Sequence, residues 1–321
     1  MKVLYVVNNY FTKGNGLTGS ARRTVKKLKE AGLDVQVLSA SNPEKGGPEP
    51  EFMLGHYKFP VFEGIIHKQG YGFASADKDV IEKAVKWADV IHLEEPFHLQ
   101  RVTCKIAAKL GKPIVGTYHL HPENLFASIH NEYNPVLNDP IMRLWRNKAF
   151  NKCRILQCPT QNVIDRLKKW NYKSDLRLIS NGLILEDLVR KEDVEPVKVS
   201  DAKYTVMSIC RYSVEKDLKT LLNAMKYSAY AKDIQLVLAG QGPEEKKLKK
   251  IANKLVKKGY VKYPPLFKFF YNLEELQRVT AGADIYVHCA FIEVEGLSCM
   301  EAVQMGIVPI IAKGKYTATS Q

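Results

Sequence analysis

A short apolar run near the amino terminus restricts the fold more than any other feature, because a polar loop, a helix and a second apolar run follow it. Residues 2–7 (KVLYVV) have the continuous apolar character of a strand buried on both faces. A helix is predicted to begin near residue 19 and to stop at Gly32, and the next strand covers 35–38. This β-loop-α-β order is the repeating unit of a parallel sheet.

The same order recurs through the rest of the chain. In the first half, the apolar patterns predict helices near 77–87, 99–110 and 161–170 and strands at 89–93, 114–118, 155–159 and 176–179. In the second half, they predict helices at 218–227, 245–257 and 273–281 and strands at 204–210, 234–239, 285–289 and 308–312. Residues 186–201 are charged and poor in apolar side chains. We therefore predict an amino-terminal α/β domain over 1–185, a linker over 186–201 and a carboxyl-terminal α/β domain over 202–321, with ligands bound in the cleft between the domains.

The composition excludes several classes of protein. The 321 residues are 45% hydrophobic and 26% charged, which argues against extensive disorder. No apolar run approaches the roughly 18 residues of a membrane span, and the first segment becomes polar too soon for a signal peptide. The six cysteines form no CxxC pair. We expect them to be reduced core residues of a cytoplasmic protein rather than zinc ligands.

The segment 291–311 (FIEVEGLSCMEAVQMGIVPII) combines an anion site with two carboxylates. Its sequence predicts a strand end, a turn at Gly296 and a helix that stops before the next buried strand. The first turn of a helix offers unpaired N–H groups and a partial positive charge, which favour phosphate. Glu293 before the turn and Glu301 one turn into the helix could bind hydroxyl groups on either side. Phosphate flanked by hydroxyls describes a nucleotide sugar, and a strand-turn-helix with ordinary surface glutamates is the alternative.

Two groups of candidate residues follow predicted strands in the first half. The loop at 14–19 (GNGLTG) could bring backbone close to an anion, with a flexible loop as the alternative. The strand that ends at 117–119 (TYH) is followed by His121 and Glu123. His119 and His121 could line a binding site, bind a metal or have only a structural role. Because a third clear ligand is missing, we expect no metal there.

A third group follows the first strand of the second half, at 210–216 (CRYSVEK). Arg211 directly after the strand and Lys216 five residues later could converge on one diphosphate, which arginine binds bidentately. Glu215 is interpreted as a charge at the start of a helix. A surface loop is the alternative interpretation of the whole group.

Taken together, these residues resemble the family-4 retaining glycosyltransferases of GT-B fold, over essentially all 321 residues. Glu293 and Glu301, with the EAVQMGIVPII that begins at Glu301, look like the E-x7-E motif of that family. The segment 210–216 resembles its GR…K segment, with Cys210 where glycine is usual. Three shorter and less specific motifs also match, namely T-x-H at 117–119, N-G at 181–182 and G-x-G-P at 240–243.

The resemblance implies two Rossmann-like β/α/β domains facing across a cleft, and it implies roles for single residues. Arg211 and Lys216 would hold the donor diphosphate, and Glu301 the ribose hydroxyls. Glu293 and the amides at 296–298 would contact the sugar and phosphate, and His119 would lie at the reacting face. The residues with an implied catalytic role are His119 and Glu293, and those with a donor-binding role are Gly16, Gly19, Arg211, Lys216, Gly240, Gly296, Leu297, Ser298 and Glu301. No metal and no cofactor is implied, because the nucleotide sugar is a co-substrate.

The implied activity is transfer of a hexose, with retention, from a nucleotide-diphosphate sugar to a lipid or glycan acceptor, with UDP as the usual carrier in the family. A nucleotide-sugar epimerase or an inactive relative on the same fold is the alternative, since a fold does not fix a function. The chain departs from the family pattern in its first loop, where Gly16-Leu17-Thr18-Gly19 replaces paired glycines. Glu295 is a third acid that could share the role of Glu293. Family members usually continue with further helices, so the carboxyl-terminal part is expected to be missing after Gln321.

The net charge of +14 is the one unusual total. Basic residues cluster in the first helix and at 143–154, namely Arg22, Arg23, Lys26, Lys27, Lys29, Arg143, Arg146, Lys148, Lys152 and Arg154. The second cluster lies beside Trp145 and Phe150, a combination that suits a membrane interface. We expect peripheral binding to an anionic surface at the inner face of the cell membrane, with a solvated basic face as the alternative. Nucleic-acid binding is a remote alternative, because no helix-turn-helix, RNA-recognition or zinc pattern is present.

Overall fold

The computed structural model describes residues 1–12, 16–58, 64, 71–183 and 189–320, and it divides into two compact units. The first unit covers Met1–Asn181 and the second covers Gly182–Ser320. Gly182 has a φ of 71° in the left-handed region, which glycine adopts readily at such a turn. Residues 184–188, which include 186–188 of the predicted linker, and Gly14 of the first loop lie outside the described residues.

The first unit is built on a seven-stranded sheet in which every neighbouring pair is parallel, in the order β3-β2-β1-β6-β7-β8-β9. Its strands, with the short antiparallel pair β4 and β5, are β1 Lys2–Val6, β2 Asp34–Ala40, β3 Phe52–Leu54, β4 His56–Tyr57, β5 Phe73–Ala74, β6 Val90–Leu93, β7 Ile114–Thr117, β8 Ile155–Cys158 and β9 Asp175–Leu178. Its helices are α1 Gly16–Glu30, α2 Lys78–Trp87, α3 His98–Lys109, α4 Pro122–Phe126, α5 Pro135–Lys148 and α6 Gln161–Lys169. The predicted parallel α/β pattern is therefore confirmed for this unit.

Helix α1 begins at Gly16, so the prediction of a loop over the whole of 14–19 was wrong from Gly16 onward. Thr18 is buried and its hydroxyl donates to the carbonyl oxygen of Asn9 at 3.0 Å. Leu17 packs against the apolar cluster around Val3, Tyr5 and Val25. These tertiary contacts stabilise a first helical turn that its two glycines disfavour on propensity alone.

The aromatic residues beside the second basic cluster do not face solvent. Trp145 and Phe150 are both buried in the first unit. Their rings pack against Phe97 and Tyr118, with centroid distances of 5.9 and 5.4 Å respectively. The expectation that these two aromatic side chains form an interfacial patch with the basic residues was wrong. The apolar face of α5 turns Trp145 into the core, and the 3₁₀ turn Phe150–Lys152 buries Phe150.

The second unit contains a five-stranded parallel sheet in the order β12-β11-β10-β13-β15. Its strands, with the small parallel pair β14 and β16, are β10 Tyr204–Ile209, β11 Ile234–Ala239, β12 Leu266–Lys268, β13 Ile285–His288, β14 Ile292–Glu293, β15 Val308–Ile311 and β16 Tyr316–Thr317. Its helices are α7 Leu218–Ala224, α8 Glu245–Lys257, α9 Leu273–Ala281 and α10 Leu297–Gln304. Apolar cores cover both faces of the sheet, one under α7 and α8 and the other under α9 and α10. The carboxyl ends of β10, β11 and β13 therefore lie together at one edge.

Within the described ranges, no helix is both long and apolar enough to span a bilayer. The six cysteines are all free thiols, and Cys104, Cys153, Cys158 and Cys299 are buried. Burial raises the pKa of the Cys104 thiol to about 12, which leaves it unreactive at neutral pH.

Candidate active site

The G-x-G-P loop that follows β11 packs directly on the chain that follows β10. Gly240 has a φ of 151°, and a Cβ atom there would collide with the carbonyl oxygen of Cys210. A Cβ atom on Gly242 would lie 2.5 Å from the carbonyl oxygen of Tyr212. The backbone of the two segments is joined by hydrogen bonds from Cys210 N to Ala239 O at 3.1 Å and from Tyr212 N to Gln241 O at 2.9 Å. Both glycines are needed because only a bare backbone fits in this space.

Arg211 leaves β10 and turns toward a buried carboxylate. Its Nη2 donates to Oε1 of Glu215 at 2.8 Å, and Ser213 Oγ donates to the same oxygen at 2.6 Å. Burial favours a raised pKa for Glu215, but the charges of Arg211 and Lys216 outweigh it and lower the pKa below its ordinary value. The interpretation of Glu215 as a charge at the start of a helix did not include its burial. It lies in the 3₁₀ turn Val214–Lys216, which directs its side chain into the unit.

Lys216 reaches across to Glu293, and the two charged groups are in contact. Glu293 ends β14 rather than lying in a loop, and its carbonyl oxygen accepts from Ala318 N at 2.9 Å. His288 lies on the other side, with Nε2 3.5 Å from Oε2 of Glu293 and only 2% of its side chain exposed. Burial would raise the pKa of Glu293, but Lys216 and His288 hold it well below its ordinary range. Burial likewise opposes the charge of Lys216, whose pKa Glu293 and Glu215 nevertheless raise.

The start of α10 is fixed by Gly296 and Tyr286. Gly296 is the N-cap in a left-handed conformation, with a φ of 84° and a ψ of 52°, and a Cβ atom there would come within 2.6 Å of the Thr319 hydroxyl oxygen. Tyr286 donates to the carbonyl oxygen of Ile209 at 3.1 Å, and its oxygen is 2.8 Å from Ser298 Oγ. This bridge ties the first turn of the helix to the end of β10.

The two acids that follow the turn differ in their surroundings. Glu301 lies four residues after Leu297, one turn into α10, at the position predicted for it. In an α-helix the side chain at this position leans toward the amino-terminal end, where an anion would bind. Glu295 is buried, whereas Glu293 contacts the predicted phosphate-binding Lys216. The structure therefore joins Glu293 to the cationic group.

The first unit holds the remaining predicted site residues. A Cβ atom on Gly16 would meet nothing within 4 Å, and one on Gly19 would lie 3.6 Å from Arg23, so packing here does not demand glycine at either position. His119 follows β7, and its Nε2 is in contact with the carboxylate of Glu94. His121 points elsewhere, with Nδ1 3.1 Å from the hydroxyl oxygen of the buried Tyr118. Among the described residues, no three His, Cys, Asp or Glu side chains are grouped as metal ligands would be.

Glu94 and Glu95 at the end of β6 form polar clusters that sequence reasoning missed. Glu95 is buried, and Oε2 accepts from Gln100 Nε2 at 2.6 Å and from Asn8 N at 2.9 Å. Its other oxygen accepts from the Tyr71 hydroxyl at 2.5 Å. Burial raises the pKa of Glu95 to about 7 despite these donors. Two adjacent glutamates directly after a buried strand were the available signal, because charged side chains are rarely placed there without a partner.

The described contacts join Lys216, Glu293 and His288 in one cluster, and Phe291 N donates to Glu215 O at 3.0 Å to connect it with the Arg211 group. Gly240 supports the segment that carries Arg211. Two oppositely charged pairs and a helix start thus lie on adjoining loops at the carboxyl edge of the second sheet. Such an arrangement can bind a phosphate group and hydroxyl groups next to it.

Comparison with known proteins identifies the family of the chain. Residues 14–187 match the model of "Glycosyltransferase Family 4", and residues 189–320 match that of "Glycosyl transferases group 1". The chain is 25% identical to alpha-monoglucosyldiacylglycerol synthase of Streptococcus pneumoniae, covering 98% of this chain and 71% of that protein. It is 24% identical to a GDP-mannose-dependent alpha-mannosyltransferase of Corynebacterium glutamicum, covering 97% of this chain and 72% of that protein.

A solved structure shows the same fold. HepE of Anabaena, determined in complex with UDP and glucose, superimposes with a TM-score of 0.67 at 15% identity, over 98% of this chain and 81% of that one. The parallel sheets and this likeness identify the two units as the halves of a GT-B fold. With both family models matched in succession along the chain, the protein belongs to the group 1, family-4 glycosyltransferases.

Proposed function

We propose that this glycosyltransferase moves a hexose from a UDP-sugar to a lipid or glycan acceptor with retention of the anomeric configuration. The observation that carries the proposal is the pair of cationic side chains, Arg211 and Lys216, on adjoining loops at the carboxyl edge of the second sheet. Support for a lipid or glycan acceptor comes from the names of the two relatives, and support for UDP comes from the ligands of the Anabaena structure.

In the proposed reaction, the acceptor hydroxyl oxygen forms a bond to the anomeric carbon as the bond from that carbon to the diphosphate oxygen breaks. The electron pair of the broken bond leaves with the diphosphate, whose oxygen takes the proton of the acceptor hydroxyl. Arg211 and Lys216 stabilise the negative charge that develops there, which is electrostatic catalysis. Lys216 enters this role from its contact with Glu293, so donor binding exchanges a carboxylate for a phosphate around one ammonium group. Glu293, released from part of its ion pair but still flanked by His288, then accepts hydrogen bonds from the donor sugar.

The start of α10 completes the proposed donor site. The amides at 296–298 bind phosphate oxygens, and Glu301 accepts from the ribose hydroxyls. His119, from the first unit, contacts the transferred sugar at its reacting face. The proposal requires no metal, because the two cationic side chains supply the positive charge that a bound cation would provide.

A lipid acceptor is supported by the surface around the start of α5. Ile129, Tyr133 and Val136 are 48%, 55% and 78% exposed, and Arg143 and Lys148 are exposed on the same helix. Exposed apolar side chains at the start of a helix that also carries exposed basic ones suit the interface of an anionic membrane. Peripheral binding there would bring the protein to a membrane-bound acceptor.

Donor binding tests the proposal directly. The thermal shift of the wild-type protein is measured with UDP-, GDP- and ADP-glucose, followed by product analysis with a diacylglycerol acceptor and NMR assignment of the anomer. We expect the largest shift with the UDP-sugar and a product of retained α configuration. Arg211→Ala should weaken donor binding by about tenfold or more, since a charged hydrogen bond contributes roughly 1.5–3 kcal/mol.

A matched control is Arg190→Ala, which removes an exposed arginine of the same unit whose Nη1 lies 3.7 Å from Oε1 of Glu192. Full donor affinity in Arg211→Ala would refute the diphosphate assignment. Isomerised donor without a transferred product would favour the epimerase alternative, and donor binding without turnover would favour an inactive relative.

A further inference from the structure

We propose that Glu94 is a positioning residue that holds His119 in its working orientation. This inference deepens the proposed function and rests on it, because the role of His119 at the sugar belongs to that proposal. The observation behind it is the contact between two residues that follow neighbouring parallel strands, β6 and β7. Nothing in the sequence motifs of the chain gives Glu94 a role.

The carboxylate of Glu94 lies between two imidazole rings. Its Oε2 contacts Nε2 of His119, and its Oε1 is 3.5 Å from Nε2 of His92. The side chains of Glu94 and His119 are 1% and 5% exposed. The backbone is fixed as well, because Glu94 N donates to the carbonyl oxygen of Val6 at 3.1 Å. A carboxylate as deeply buried as this is costly unless a cationic partner compensates its charge.

His92 does not provide that positive charge. Burial, with the nearby His119, lowers the pKa of His92 to about 3, so this ring stays neutral at physiological pH. Its Nε2 is 2.9 Å from Thr117 Oγ1, and Tyr5 stacks on it with ring centroids 4.6 Å apart. His92 is therefore an uncharged ring beside the Glu94 carboxylate. His119 is the ring that pairs with this carboxylate.

This pairing has two consequences for His119. The contact on Nε2 fixes the rotation of the ring and leaves its Nδ1 edge directed away from Glu94. The negative charge also favours the protonated ring, because an opposite charge within hydrogen-bonding distance stabilises the imidazolium. The groups that face the pair are His92 from β6, Tyr5 from β1, and Glu95 with Tyr71 behind it.

Glu95 provides a matched control at the next position of the same strand end. It is fully buried, like Glu94, but its carboxylate contacts Asn8, Gln100 and Tyr71 instead of a histidine. Glu95→Gln therefore removes a buried carboxylate of the same size without touching His119. Any general effect of changing a buried glutamate in this cluster should appear in both variants.

The first readout needs no substrate. The ring signals of His119, assigned by their loss in His119→Gln, are followed by NMR through a pH titration of wild type, Glu94→Gln and Glu95→Gln. In Glu94→Gln we expect His119 to lose its proton at a pH lower by about one unit or more, the usual effect of one close opposite charge. In Glu95→Gln the His119 titration should shift by much less than in Glu94→Gln, because Glu95 contacts no histidine. An unchanged His119 titration in a folded Glu94→Gln protein overturns the proposal.

The second readout is the pH profile of transferase activity. Glu94→Gln should lower kcat by about tenfold or more, with the donor KM within about twofold. The part of the pH profile that is lost in His119→Gln should shift to lower pH in Glu94→Gln. If Glu94→Gln does not fold, Glu94→Asp replaces it, since it keeps the charge but withdraws it by one methylene group. In Glu94→Asp, His119 should then titrate at nearly the same pH as in wild type, and kcat should be lower. A kcat equal to that of wild type would count against a positioning role. If the wild-type protein had no transferase activity, the proposed function would be refuted. The NMR titration would still test the pairing of Glu94 with His119.

Discussion

Each cationic side chain of the candidate donor site is paired with a carboxylate before any ligand binds. Arg211 has Glu215 and Lys216 has Glu293, and both acids are largely withdrawn from solvent. A pair of this kind keeps the cation charged and oriented, because the buried acid cannot be left without compensation. The donor diphosphate must therefore compete with carboxylates already in place. This competition favours a diphosphate, which carries two negative charges, over a neutral sugar.

At the same scale, the raised pKa of Glu95 predicts a pH-dependent stability. Its pKa rises from 4.5 to about 7 in the folded protein, so its contribution to stability is present below pH 4.5 and is lost as the pH rises through 7. Glu95→Gln cannot ionise and should escape this loss. We expect the variant to gain about 1–3 kcal/mol relative to wild type between pH 5 and pH 8, or about 2–4 °C in Tm for each kcal/mol.

Comparing the stability difference between Glu95→Gln and wild type at pH 5 with that at pH 8 removes any effect of the amide that does not depend on pH. Asp77→Asn offers a control, because Asp77 is an exposed N-cap of α2 whose amide replacement can still accept the same backbone hydrogen bonds. A difference in Tm between Glu95→Gln and wild type that is the same at pH 5 and pH 8 would contradict the burial argument.

Sequence patterns predict which residue types line the site, but they do not predict its pairs. Lys216 and Glu293 are 77 positions apart, and their contact depends on β14 and the 3₁₀ turn meeting in space. The burial of Glu215 was not predicted, because a glutamate beside a lysine before a helix has the pattern of a solvent-exposed residue. His288 was missed because it is the last residue of an otherwise apolar strand, where the local pattern predicts only burial.

At the scale of elements, strong hydrophobic periodicity was sufficient to predict the bounds of a helix or strand. Weak helix propensity was not sufficient. Strand 234–239 and helices 245–257 and 273–281 lie at the bounds the sequence predicts. The helix predicted at 218–227 ends at Ala224, because three-residue turns bring Lys226 N to Asn223 O and Tyr227 N to Ala224 O at 3.0 Å each. Local patterning cannot distinguish a final helical turn from such tighter turns.

The G-x-G-P loop gives a prediction that belongs to this scale. Gly242 does not have a left-handed φ, so only the space beside Tyr212 limits its side chain. Gly242→Ala must push the loop away from the segment that carries Arg211. We expect a loss of about 1–3 kcal/mol in stability, typical of overpacking, and donor affinity weakened at least as much as in Arg211→Ala.

Gly19→Ala is the matched comparison for stability. Its Cβ atom would lie 3.6 Å from Arg23, an ordinary contact, within helix α1. Alanine in a helix interior is favoured over glycine by about 1 kcal/mol, so this variant should have an equal or higher Tm. Equal Tm values for the two alanine variants would show that the G-x-G-P loop can relax without cost. Donor titration of each variant then measures the effect on binding separately.

At the scale of the molecule, each compact unit supplies a different part of the proposed chemistry. The second unit carries the cations, the acids and the helix start, and the first carries His119 with its buried acid. The first unit also contains both basic clusters that motivated the membrane hypothesis. In α1, however, Lys26 and Lys27 pair with Glu30, and Lys29 pairs with Glu51. The start of α5 is therefore the stronger candidate for lipid contact.

Co-sedimentation with vesicles tests this assignment for the whole protein. Wild type should bind vesicles containing phosphatidylglycerol more strongly than phosphatidylcholine vesicles, and the difference should shrink in about 0.5 M salt, where the screening length falls well below 10 Å. Arg143→Glu with Lys148→Glu should reduce binding by at least about tenfold, since each basic residue near the surface contributes about 1 kcal/mol. Tyr133→Ala with Val136→Asp should weaken the binding that survives high salt.

The control changes the net charge by the same amount on the other unit. Lys254→Glu with Lys257→Glu alters two exposed lysines of α8, so vesicle binding should stay close to wild type if a local surface is responsible. If binding depended only on the net charge of +14, the two double variants would lose it equally. Equal recovery of wild type with neutral and anionic vesicles would instead leave α5 a solvated basic face. A glycan acceptor in solution would then be the better reading of the proposed function.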